Sequence, residues 1–195
     1  MFARHLNTDL VRPSMLMNLF CCFGNVQQLL IDRESACCLV QYSNSAELAE
    51  AVFCLSGRCL FGRTLEVLTC PNFYVNCHPE SLNGGSALVV VHGSFSFHRY
   101  QSTLNIKYNR PTPVLHLTNI PFEVDHVILF MLIAQVQEPR QIVRLSKTDK
   151  KGAPMYLAVF DSSAQAIEAL AVLHNKVIQD RSIKASFTAP RAKPA

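Results

Sequence analysis

Two rings set in alternating apolar stretches are the residues best placed to do chemistry in this chain. Phe2 lies in "MFARHL" and His116 in "VLHLTNIP", residues 114–121, each with apolar neighbours on either side. Successive side chains of a β-strand point to opposite faces, so each ring projects away from the face its neighbours bury. A ring displayed on a sheet offers a flat surface on which another π system stacks. The thiols point to different chemistry. Cys21, Cys22, Cys37, Cys38, Cys54, Cys59, Cys70 and Cys77 all lie in the first 77 residues, and none forms a C-x-x-C pair. The adjacent pairs in "FCCFG" and "ACCLV" put neighbours on opposite faces, which suits core packing better than metal chelation. Reduced, buried thiols fit a nuclear or cytosolic compartment.

The chain carries no H-E-x-x-H, G-x-S-x-G or phosphate-binding G-x-x-x-x-G-K-[ST] pattern. An acylphosphatase-like hydrolase would need a phosphate-cradling loop after its first strand, and the loop "NTDLVRP" has no glycine. His5 and Cys21 are the one imaginable base and nucleophile pair, and a core thiol is the simpler reading of Cys21. Neither catalysis nor a cofactor nor a metal is expected. Hydrophobic residues make up 49% and charged residues 16% of 195, the balance of a folded chain with room for two small cores. No run of about 18 apolar residues suggests a membrane span, and no signal-peptide pattern appears. The net charge of +4 is uneven: residues 1–70 carry five Lys/Arg against six Asp/Glu, whereas residues 113–195 carry ten against seven. That bias permits a polyanionic partner without demanding one.

One pattern of elements runs through the chain twice. In the first half an opening strand (1–6) leads to an amphipathic run (14–23), then "VQQLLI", "CCLVQY", the helix pattern "SAELAEAVFCLSG" and "TLEVL". In the second half "VLHLTNI" leads to "DHVILFMLIAQ", "RQIVRLS", "MYLAVF", "SSAQAIEALAVLHN" and "SIKASFT". The order β-α-β-β-α-β, twice, predicts an α+β protein of two ferredoxin-like units. Each is a four-stranded antiparallel sheet with both helices on one face and the other face open. Ser14 after Pro13, Asp125, and Ser162 or Ser163 are the candidate helix N-caps, and Gly57 the stop of the first unit's second helix. The expected boundaries are 1–77, a linker at 78–112, and 113–190. The linker is rich in turn residues, yet "SALVVV" and "SFSFHRY" are apolar enough to pack on a domain or add an edge strand. "NFYV" at 72–75 is a candidate fifth strand in the first sheet.

The first strands resemble the hexamer of the RNA-recognition motif, aliphatic-aromatic-aliphatic-x-Asn-Leu: "LHLTNI" with His116 at the ring position, "MFARHL" with Phe2 there and His5 in place of Asn. The third strands, "SACCLVQY" and "APMYLAVF", keep the apolar positions of the companion octamer without its exposed aromatics. A tandem of this kind resembles the last two motifs of the polypyrimidine-tract-binding protein and heterogeneous nuclear ribonucleoprotein L family. The segments "LFCCFGNVQQLLI", "ACCLVQY", "LFGRTLEV", "HRY", "VLHLTNIP", "AIEALAVLHN" and "IKASFT" stand in that family's order. The resemblance implies binding of single-stranded, pyrimidine-rich RNA on the sheet faces, a role in splicing and other post-transcriptional regulation, nuclear localisation with shuttling to the cytoplasm, and a longer multi-domain parent chain without membrane association.

By alternation, Phe2, Arg4, Cys37 and Leu39 face outward in the first sheet, and His116, Thr118, Met155 and Leu157 in the second. Cys38, Val40, Tyr42, Tyr156, Ala158 and Phe160 turn to the cores. Lys184 and Ser186 on the last strand, and Arg144 and Lys147 on or after the second strand of the second unit, are the candidates for phosphates and base edges; Arg63 and Thr64 are weaker ones. The run "VILFMLI" at 127–133 is apolar all round its helix, so if Leu129, Leu132 and Ile133 face the core, Val127, Phe130 and Met131 face outward. With Phe53, Ala171 and Val172 these are candidates for helix-to-helix docking of the two units, as the resembled family docks its last two motifs, or for protein partners. The competing reading is a protein-interaction module that has lost RNA binding.

Overall fold

Residues 1–70, 88–92 and 109–189 are described by a computed structural model, 88–92 as backbone only. The chain divides into two compact units, Met1–Tyr108 and Asn109–Ala195. In the first, β1 (Phe2–Arg4), α1 (Pro13–Phe20), β2 (Val26–Asp32), β3 (Cys37–Tyr42) and α2 (Ser45–Leu55) are followed by a short hairpin of β4 (Cys59–Leu60) and β5 (Arg63–Thr64), then β6 (Glu66–Leu68) and β7 (Leu88–His92). In the second come β8 (Val114–Thr118), α3 (His126–Ala134), β9 (Gln141–Thr148), β10 (Pro154–Val159) and α4 (Ser163–Leu173), then a hairpin of β11 (Val177–Ile178) and β12 (Arg181–Ser182), and β13 (Lys184–Phe187).

The sheets run β6-β1-β3-β2-β7 and β13-β8-β10-β9, all neighbours antiparallel. The ring-bearing strands β1 and β8 are therefore central, each beside the third strand of its unit. The fifth strand of the first sheet is Leu88–His92, added on the β2 edge from within the expected linker. "NFYV" lies outside the described residues. The last strand expected in each unit splits, its opening residues closing a two-strand hairpin on the segment after the helix.

The helices start and stop by local chemistry. Asp125 accepts from the N–H groups of Val127 and Ile128, both at 2.9 Å, and Ser162 forms a capping box with Gln165. Asn44 caps α2 by accepting from the Glu47 N–H at 3.0 Å. Ser14 is not a cap: Arg12 holds that position with no side-chain bond, because Pro13 serves as the first helical residue, where its missing N–H costs nothing. α2 ends as expected, with Gly57 at φ +73° just past it, a conformation only glycine adopts without strain. Gly24 is required for a different reason. A Cβ there would sit 2.5 Å from the Glu47 Cβ, and Glu47 uses its carboxylate to accept from the Asn25 N–H and the Ser43 hydroxyl, both at 2.9 Å.

Each core lies between helices and sheet. Ala3, Cys38, Val40, Leu29, Phe20 and Leu55 fill the first, and Leu115, Leu117, Ala158, Leu129, Ile167 and Leu170 the second. Tyr42 and Tyr156 stay buried by donating their hydroxyls to the Phe20 carbonyl at 2.9 Å and the Val124 carbonyl at 3.1 Å. On α3, Leu129 and Ile133 are buried, Phe130 and Leu132 half-buried, and Val127, Ile128 and Met131 exposed. Thus Phe130 is less open than its position suggested, and Ile128 joins the exposed side instead. On α2 the buried residues are Ala51, Cys54 and Leu55, with Val52 half-buried and Phe53 exposed. Ala171 is fully buried and Val172 half-buried, so Ala171 does not present the open apolar surface expected of it.

Candidate nucleic-acid interface

The register of the first sheet assembles two rows on its open face. Phe2 stands opposite Leu39 on one side and Leu68 on the other, and Leu39 opposite Leu30. One step along, Arg4 stands opposite Cys37 and Glu66, and Cys37 opposite Asp32. The outward placement expected of Phe2, Arg4, Cys37 and Leu39 is what the strands produce, while Ala3, Cys38 and Val40 are buried between them. These rows border a cavity of about 560 Å³ lined by Phe2, Arg4, Asp32, Cys37, Leu39 and Arg63 among others.

Charge organises this cavity. The Arg4 guanidinium lies 4.9 Å from the centre of the Phe2 ring, within cation–π range, and 3.8 Å from the Glu66 carboxylate. His5, in the left-handed region at φ 63°, brings its Nε2 within 3.5 Å of the same carboxylate. Asp32 ends β2 with its Oδ1 accepting from the N–H groups of Glu34 at 3.0 Å and Ser35 at 3.1 Å. The Ser35 hydroxyl and these N–H groups hold its carboxyl below the usual range. Burial, then the nearby Asp32 charge, pushes the Cys37 thiol up, so Cys37 is a soft, neutral contact surface. Burial pushes Cys21 to about 12 and raises Cys38 further, as core thiols require. Among the described residues no group of His, Cys, Asp and Glu is arranged to hold a metal ion, and none of their helices is long and apolar enough to cross a membrane.

The second sheet builds a more apolar face. His116 stands opposite Leu157 and Ser186, Leu157 opposite Val143, and Thr118 opposite Lys184. Met155 and Val159 share the Leu157 face and are half-exposed. Asn119, at φ 58°, matches His5 in position and donates its amide to the Ser182 carbonyl at 2.8 Å, fixing the end of β8.

Three placements differ from expectation. Arg144 stands opposite Tyr156, whose side chain is in the core, so Arg144 lies on the helix side of the edge strand and not on the open face. The pairs from Gln141 to Arg144 are regular, and a register shift beyond them, between Pro154 and Tyr156, lengthens β9 relative to β10. Lys147 falls by alternation on the open side and is exposed. Ser186 has the right face but is only 4% exposed, and its hydroxyl donates to the His116 carbonyl at 3.4 Å, so it braces the strand instead of presenting a hydroxyl. Leu157 also has the right face and is 8% exposed, a floor more than a protrusion. Lys184 is half-buried with its ammonium donating to the Asn175 side chain. Sequence reasoning missed Asp32, Glu66, Leu30 and Val143. Extending "VQQLLI" by one residue would have put Asp32 level with Leu30 on the open face.

Two sheets of this topology, each with central ring-bearing strands, define the RNA-recognition-motif class. Residues 1–90 match the family model described as RNA recognition motif, also called RRM, RBD or RNP domain, a binding module and not an enzyme. As a whole the chain is 28% identical over 186 residues to polypyrimidine tract-binding protein homolog 3 of Arabidopsis thaliana, covering 94% of this chain and 41% of that protein. Over residues 1–90 the chain is thus similar to RNA-recognition motifs, and as a whole it is similar to a polypyrimidine-tract-binding protein. It spans about two fifths of the length of that curated relative. Similar solved structures include the RRM of RNA15, 16% identical with a TM-score of 0.36 over 41% of this chain and 93% of that one. The RRM3 domain of Hrb1 is 18% identical with a TM-score of 0.35 over 40% of this chain and 79% of that one.

Proposed function

We propose that this chain binds single-stranded, pyrimidine-rich RNA on its two open sheet faces and acts in splicing or other post-transcriptional regulation in the nucleus. The observation that carries the reading is the row of Phe2, Leu39 and Leu30 beside Arg4 and Cys37 around one cavity, with the His116, Leu157 and Val143 row on the second sheet. Flat apolar floors with one ring each favour stacking of unpaired bases, worth roughly 1 to 3 kcal/mol per base on an aromatic. The relative named for polypyrimidine-tract binding supports the choice of pyrimidines. Few lysines and arginines line these faces, so affinity should depend only moderately on salt. Fluorescence anisotropy with pyrimidine-rich, purine-rich and duplex RNA at two salt concentrations tests this, and equal affinity for all three overturns it.

The finer reading adds that the two motifs dock through their helices. The exposed Val127, Ile128 and Met131 of α3 and the exposed Phe53 of α2 support it, as does the cost of leaving such side chains in water. NMR relaxation tests it. Wild type should tumble as one body and the Phe53→Asp/Met131→Asp double variant, at two exposed positions, as two, whereas two bodies in wild type would leave these faces to protein partners.

A further inference from the structure

The first motif's open face carries two carboxylates that the second motif's strands lack altogether, and the two are not equivalent. Glu66 is engaged by Arg4 at 3.8 Å and by His5 at 3.5 Å. Asp32 is held by the chain itself, through the Glu34 and Ser35 N–H groups on Oδ1 and the Ser35 hydroxyl, and lines the same cavity as Arg4 and Cys37. A carboxylate accepts up to about four hydrogen bonds, so Asp32, with three engaged, retains acceptor capacity at the cavity it lines. Cytosine and uracil have the same shape and differ at one edge, where cytosine presents an amino donor and uracil a carbonyl acceptor. An ionised carboxylate set against position 4, away from the N3–H that uracil alone can donate, accepts from the amino group and repels the carbonyl, while the Arg4 guanidinium, a donor only, serves the O2 carbonyl that both bases share. Taking this face as an RNA interface, as above, we propose that the first motif selects cytosine over uracil, with Asp32 as the specificity-determining acceptor for the cytosine amino group. The second motif, with His116, Thr118, Leu157 and Lys184 on its face and no acidic residue on its strands, makes no such choice.

Cys37 gives a reporter inside the site, because it stands directly opposite Asp32. The full chain is treated with iodoacetamide alongside ten-nucleotide oligocytidine, oligouridine or oligoadenosine RNA, and Cys37 modification is read by peptide mass spectrometry. Oligocytidine should protect Cys37 at about a tenfold lower concentration than oligouridine. Asp32→Asn keeps an Oδ1 acceptor for the turn and puts an amide donor at the other position, so the ratio should fall to one or below. Asp9→Asn, at an exposed turn carboxylate outside the cavity lining, should leave the ratio unchanged. Equal protection by the two pyrimidine strands in wild type, which needs no variant to fold, overturns the proposal, as does an unchanged ratio in Asp32→Asn. Failure of the chain to bind any strand would instead overturn the RNA-binding reading itself, and best protection by oligoadenosine would overturn its pyrimidine preference.

Discussion

Replacing Leu157 with Ala separates the structural from the binding role of the second sheet's open face. Leu157 stands between His116 and Val143, on the face away from the helices, yet is only 8% exposed. The change deletes three carbons, which at about 0.8 kcal/mol per buried CH2 is about 2.4 kcal/mol. Fully enclosed Leu→Ala changes cost roughly 2 to 5 kcal/mol because a cavity remains, but a gap on an outer face is open to water and adds little. The expected loss is therefore about 2 to 3 kcal/mol, confined to the second unit. Hydrogen exchange across urea concentrations, read on peptides from residues 113–189, measures it without assuming that the two units unfold together. Binding of pyrimidine-rich RNA, measured where both units remain folded, should weaken about fivefold from the lost contact. A loss above about 4 kcal/mol would place Leu157 in an enclosed core and refute the register. Unchanged affinity at the expected stability loss would remove Leu157 from the interface.

Gly24→Ala should destabilise the first unit by about 2 to 4 kcal/mol, because the clash is with the helix-fixed Cβ of Glu47 and shifting it disturbs the bonds to Asn25 and Ser43; a loss under about 0.5 kcal/mol by the same exchange assay would refute this. In RNA-free protein at pH 8, alkylation should reach the half-buried Cys37, Cys59 and Cys70 before Cys21, Cys38 and Cys54, with Cys37 slower than an unperturbed thiol, since burial and Asp32 raise it. Early modification of Cys38 would contradict the β3 register. Asp32, lowered by its Ser35 and Glu34 bonds, favours folding while ionised, so its contribution is present above the ordinary carboxylate value of 3.8 and is lost as pH falls through the lowered folded value. Asp32→Asn should flatten the acid limb of the first unit's stability curve in that window, and an unaltered limb would show the carboxylate to be unlinked to folding.

The element order, the double β-α-β-β-α-β pattern and the identity of the inward and outward residues on β1, β3, β8 and β10 were legible in the sequence. Each depends on a local period: two along a strand, about 3.6 along a helix, with caps such as Asp125, Ser162 and Gly57 marking ends by chemistry that acts within a few residues. What lies opposite what was not legible. The Glu66–Arg4–Cys37–Asp32 row joins four residues from four strands, and only strand pairing sets them side by side on one face. Arg144 went to the helix side because its neighbour Val143 pairs with the outward Leu157, and the parity of an edge strand is set by that pairing. Ser186 and Leu157 had the right face but not the expected exposure, since burial is set by neighbouring strands and not by alternation. The sequence by itself determined which side of each central strand could meet a ligand; the tertiary structure decided which outward residues are open, which are floor, and which carboxylate is engaged by Arg4 and His5, because these depend on contacts between residues far apart in the chain.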